Sequence, residues 1–165
     1  MFELNRIVTP LRILLVLAFA FLLMLQVLSL PGDIVDDVQK SPEAAHLLWP
    51  MLVVAELVVL CFQVINVCTW KLLTMVKKDR IFSQASLAWV DRIVWSFVAA
   101  WVLFAGLATY LTTFIYFTPR LRDPGVPIML FGIVLIGAVL VLLVSVLRAL
   151  LRQATTLRTE LEEVI

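Results

Sequence analysis

Four apolar runs, separated by polar intervals, organise this chain. The first, residues 13–30, is opened by Arg6 and Arg12 and closed by Pro31-Gly32-Asp33. It has about the minimum length for a helix crossing ~30 Å of hydrocarbon. A cleaved signal peptide would need a small-x-small triplet after the run. The one such triplet, Ala18-Phe19-Ala20, sits in its middle, so an uncleaved span is expected. Further runs follow at about residues 51–70, 93–117 and 126–147. A bilayer leaves unpaired backbone groups without water, so each run is expected to be helical.

The polar intervals carry the helix starts and stops. Ser41-Pro42-Glu43 reads as a start, with Ser41 as cap, Pro42 where its missing N–H costs nothing and Glu43 at the positive helix end. Pro50 is expected to kink the second helix near the membrane surface. Ser83 reads as a second cap, flanked by Phe82 and Leu87 at hydrophobic-staple positions. Pro119 and the stretch to Gly125 predict a tight turn, and residues 148–165 continue the fourth helix as a polar tail. The predicted fold is all-α: a single domain over residues 1–165, built as a four-helix transmembrane bundle with an amphipathic cytoplasmic C-terminal helix.

Composition removes the soluble alternative. Of the 165 residues 63% are hydrophobic and 15% charged, too little charge to cover a water-exposed surface. Basic residues set the orientation. Ten of the thirteen lie at the N-terminus, between the second and third runs, or in the tail; only Lys40, Arg120 and Arg122 lie in the other intervals. Both termini are therefore expected in the cytoplasm. Trp70, Trp89 and Trp95 flank the basic middle interval and fit an interfacial aromatic belt. Cys61 and Cys68 are two helical turns apart, too far for a bridge within one helix, and read as small packing residues.

Lipid supplies no hydrophobic drive for helix association, so small and polar residues must provide it. Ala105, Thr109 and Thr113 form a small-xxx-small stripe beside Gly106, whereas Gly132 and Gly137 fall on different faces. Packing within one molecule is the expected use of these residues, with a homo-oligomer interface as the lesser alternative.

Glu56 is the acidic group placed inside a span. At mid-membrane it costs about 2.5–3.5 kcal/mol on insertion scales, so it is expected to face protein or water. Gln63 and Asn66 fall on its side of the helix and complete a polar stripe. The stripe reads either as a proton- or cation-accepting cleft or as a packing network, with Glu56 paired to a hydroxyl such as that of Thr109. The acids Asp33, Asp36, Asp37 and Glu43 lack the spacing of a calcium loop and read as a solvated interval. A single histidine, His46, excludes bis-histidine haem within one chain. There is no phosphate-binding loop, metalloprotease motif or glycine-flanked serine. Catalysis, a resident metal or cofactor, and direct nucleic-acid binding are not expected.

In the tail, Leu147, Leu150, Ala154, Leu157, Leu161 and Val164 repeat at alternating spacings of three and four, the apolar seam of a heptad pattern. Glu160, Glu162 and Glu163 close the helix where its dipole disfavours acids, while Lys77, Lys78 and Arg80 lie in the same compartment. Either the seam docks another protein, or the tail folds back with its leucines on the helix after Phe82 and its acids on the basic interval.

The stretch Lys77-Lys78-Asp79-Arg80 before Phe82-Ser83, and the tail Leu147-Arg148-Ala149-Leu150-Leu151-Arg152-Gln153-Ala154 with Glu160-Leu161 and Val164-Ile165, resemble a bacterial membrane family catalogued as domain of unknown function 2975. The resemblance covers nearly the whole chain in its four-span layout. It implies a protein of the bacterial plasma membrane with no assigned activity, and genetic neighbourhood with a small helix-turn-helix regulator. Two functions are then in view. The first is a non-catalytic tether or sensor acting through a cytoplasmic protein partner. The second is a small oligomeric carrier using Glu56, Gln63 and Asn66.

Overall fold

The computed structural model describes residues 2–29, 45–77, 84–117 and 125–163. The expected cap at Ser41, the acids Asp33, Asp36, Asp37 and Glu43, the basic residues Lys78 and Arg80, the second cap Ser83 with its staple residue Phe82, and the turn after Pro119 lie outside them. All four described segments are helical: α1 (Phe2–Met24, ending in a π-helical turn Leu25–Ser29), α2 (Ala45–Lys77), α3 (Gln84–Phe117) and α4 (Gly125–Glu163). Each holds a segment long and apolar enough to cross a membrane, namely Val8–Val27, Leu48–Lys77, Ala85–Phe117 and Gly125–Leu161.

Pro10 and Pro50 lie inside α1 and α2, and α2 runs on from Ala45 through Pro50 to Lys77. Pro127 sits in the first turn of α4, where its missing N–H has no intrahelical acceptor to lose. The helices α2, α3 and α4 are each longer than the apolar run that predicted them. Polar residues beside a span extend the same hydrogen-bonded ladder once a helix has been nucleated.

Packing follows the chain: α1 on α2, α2 on α3, α3 on α4, with no other helix pair packed to a comparable extent among the described residues. The bundle expected from the sequence is therefore an open one. Phe62 and Phe97 meet edge to face at 6.4 Å between α2 and α3. At the same level α2, α3 and α4 enclose an apolar cavity of about 210 Å³, lined by Val58, Phe62, Phe97, Trp101 and Gly137 among others. Cys68, Leu73, Leu87, Val94, Ala100 and Ala108 form the buried apolar positions of α2 and α3. Most large apolar side chains of α1 and α4 face outward, the arrangement that lipid as solvent favours.

Trp101 and Gly137 set the approach of α3 to α4. The indole Nε1 donates to the carbonyl of Val134 at 2.9 Å. A Cβ at position 137 would lie 2.7 Å from Trp101 Cδ1, so glycine is what lets the ring reach that carbonyl. Gly106 and Gly132, by contrast, have open space around them.

Candidate functional site

The polar stripe of α2 divides on contact with its neighbours. Gln63 Nε2 donates to Gln26 Oε1 at 2.8 Å, and Asn66 Nδ2 donates to the carbonyl of Leu15 at 3.1 Å. Further along, Arg12 Nη2 donates to Thr74 Oγ1 at 3.3 Å while its guanidinium carbon stands 5.4 Å from the centre of the Trp70 ring. Three polar bridges at successive levels thus tie α1 antiparallel to α2. Gln26 lies in the π-helical turn Leu25–Ser29, the irregular end of α1. Such turns shift the direction of side chains relative to a regular helix.

Glu56 stands apart from this network. It is half-buried, and among the described residues it has no hydrogen-bond partner. The pairing expected with Thr109 is not made, because the Thr109 hydroxyl donates to the carbonyl of Ala105 and that of Thr113 to Thr109. A hydroxyl tied to its own helix four residues back carries little polar cost into an apolar setting. That is why Thr109 and Thr113 can sit exposed on α3. With Thr112, Pro127 and Phe131 they line a cavity of about 270 Å³ between α3 and α4.

A third cavity, about 350 Å³, lies between α1 and α2 beside the polar bridges. Leu15, Val16, Phe19, Ala20 and Leu23 form its α1 wall, and Asn66, Val67 and Trp70 its α2 wall. The bridges hold the two helices together without flush packing, and the groove is what remains between them.

The tail departs from the expected fold-back. Arg148 on α4 pairs with Asp91 on α3 at 2.5 Å, with both side chains about a third exposed. Two turns on, Thr155 is 2% exposed, and Ser86 in the first turn of α3 is 0% exposed. The antiparallel register defined by Trp101–Val134 and Asp91–Arg148 brings these ends to a similar level. The tail face turned to α3 is therefore Arg148, Leu151 and Thr155. The leucine seam points the other way: Leu150, Leu157 and Leu161 are 56%, 54% and 68% exposed. The reason is rotational. At 100° per residue the seam is centred roughly opposite Arg148 and Thr155, and the ion pair fixes that rotation. Glu160 is exposed, and no ion pair joins it to Lys77 among the described residues. Glu162 and Glu163 lie in the last turn of α4.

Sequence reasoning missed Gln26 and gave Arg12 only a topological role. The available signal was that each is a lone polar residue bordering or interrupting an apolar run that needs none. Among the described residues no cluster of three histidine, cysteine or acidic side chains is placed to hold a metal ion. Compared with known proteins, residues 34–165 match the model of one family, described as "Protein of unknown function (DUF2975)". The matched segment holds α2, α3 and α4, and α1 precedes it. No curated protein and no solved structure matches the chain.

Proposed function

From the premise that the chain belongs to the DUF2975 family, we propose that it is a non-catalytic membrane tether that docks a cytoplasmic protein on the outward seam of α4. One observation carries this reading: Leu150, Leu157 and Leu161 are exposed on a helix whose opposite face is pinned to α3. Within the bilayer an exposed leucine costs nothing. Beyond it, an aligned row of leucines in water costs free energy until something covers it.

The length of α4 supports the placement of that row outside the membrane. Its 39 residues span about 58 Å, against ~30 Å of hydrocarbon and 40–45 Å with headgroups. With Gly125 at one surface, the residues after about position 150 stand clear of the other. The positive-inside bias assigns that side to the cytoplasm and both termini with it, and the family resemblance suggests a bacterial plasma membrane. An apolar heptad face fits an amphipathic helix of the partner, in the helix-on-helix mode. A small helix-turn-helix regulator is the first partner to test. The carrier reading finds less support, since Gln63 and Asn66 are committed to α1 and Glu56 stands away from them.

A photoreactive residue at position 157 in living cells tests the reading. The expected result is a discrete protein adduct that disappears when Leu150 and Leu161 are changed to glutamate. Adducts to lipid alone, or an adduct indifferent to those changes, would overturn it, and an adduct to a second copy of the chain would replace the partner with self-association.

A further inference from the structure

We infer that the groove between α1 and α2 is a binding site for one anionic phospholipid, with an acyl chain along the groove and the headgroup phosphate at Arg12. This site is separate from the seam of α4 and does not depend on the docking role proposed for it.

The groove has the shape and lining that a chain needs. It is about 350 Å³ and runs along Leu15, Phe19 and Leu23, with the small side chain of Ala20 opening it. Its one amide, on Asn66, donates to the Leu15 carbonyl, and apart from that amide and the Trp70 indole the lining side chains are purely hydrocarbon, which suits an acyl chain. Trp70 lines the end nearest Arg12, and the guanidinium stands over that ring.

Charge decides which lipid. A guanidinium has five N–H donors and is always cationic. Among the described residues Arg12 uses them on a single neutral acceptor, Thr74 Oγ1, and its Nε is buried without any acceptor. The ion pair Arg148–Asp91 does not involve it. Arg92, by comparison, stacks on Trp89 at 4.5 Å on the exposed side of α3 and borders no such groove. Arg12 therefore offers a cation beside the Trp70 end of an apolar groove, four residues inside the candidate span that begins at Val8. Phosphate oxygens at headgroup level are the acceptors that complete it, and guanidinium–phosphate pairing is bidentate and charge-assisted. A zwitterionic headgroup also carries a phosphate, but its tethered cation offsets the attraction. Selectivity for net-negative lipid is thus the specific consequence.

The test uses the full chain reconstituted in vesicles of equal parts phosphatidylglycerol and phosphatidylcholine, then released into mild detergent for native mass spectrometry of retained lipid. The wild-type protein is expected to retain one phosphatidylglycerol with several-fold enrichment over phosphatidylcholine. Arg12→Gln should abolish the enrichment and Arg12→Lys should keep most of it, because the charge remains. Ala20→Phe fills the groove and should lose the retained lipid while leaving Arg12 in place. Helicity and monodispersity of each variant are measured alongside. Equal retention of the two lipids by the wild-type protein overturns the inference without reference to any variant. So does enrichment that survives Arg12→Gln, or lipid retention unchanged by Ala20→Phe in a folded protein.

Discussion

At the scale of single residues, the amide pair Gln26–Gln63 shows how a partner changes the meaning of a polar side chain inside a span. Read alone, Gln63 belongs with Glu56 on one face of α2; in the fold it belongs with Gln26 on α1. The consequences of substitution move accordingly. Gln26→Leu should destabilise the protein by about 0.6 kcal/mol, the average for interhelical hydrogen bonds in membranes, and by no more than ~1.7 kcal/mol, because the Gln63 amide is left without its partner. Gln63→Leu should cost a similar amount, and the double variant less than the sum, since both polar groups are then gone. Glu56→Gln should leave stability nearly unchanged. Unfolding in mixed micelles of rising denaturing-detergent content measures all four. Additive losses in the double variant would show that the two amides do not act as a pair.

At the scale of helices, α3 and α4 meet through one ring and one missing Cβ. Gly137→Ala puts a methyl 2.7 Å from Trp101 Cδ1, so either the indole moves off the Val134 carbonyl or the helices separate. The expected cost is about 1–3 kcal/mol, as for other overpacked contacts. The same change should blue- or red-shift the Trp101 emission, read in a background where the other tryptophans are phenylalanine. Trp101→Phe should lose about 1 kcal/mol with its hydrogen bond. In that background Gly137→Ala should do less damage, because the smaller ring need not reach the carbonyl. If Gly137→Ala is as harmful with phenylalanine as with tryptophan, the close approach has another cause. Of Gly132 and Gly137, it is Gly137 that meets a neighbouring helix closely, and it does so within the molecule.

At the scale of the whole molecule, the expectation of four crossings with both termini on one side concerns the loops as much as the helices. Reporter fusions after Leu30 and Pro119 should report the outer side, and fusions after Lys78 and Ile165 the cytoplasm; one reversed site would break the scheme. The number of spans was legible because hydrocarbon thickness fixes helix length, and any run of that length without charge has few other fates. The same physics made the helix interiors illegible in detail. When nearly every position is apolar, periodicity no longer marks which face meets protein, so the groove along Leu15, Phe19 and Leu23 could not be seen in the sequence. The tail shows the division most clearly. Its heptad spacing was legible in the sequence, because polar residues return there and make the pattern visible. Which way the seam points was not, because rotation about the axis of α4 is set by Asp91, fifty-seven positions away from Arg148. Four apolar runs long enough to cross a bilayer, and the alternating leucine spacing at the end of the last, are properties of the sequence alone. Only the tertiary structure decided that Gln63 answers Gln26, that Glu56 stands outside their network, and that the leucines face outward. Local periodicity is a property of the chain, whereas the pairing of polar groups across helices depends on which surfaces the packing brings together.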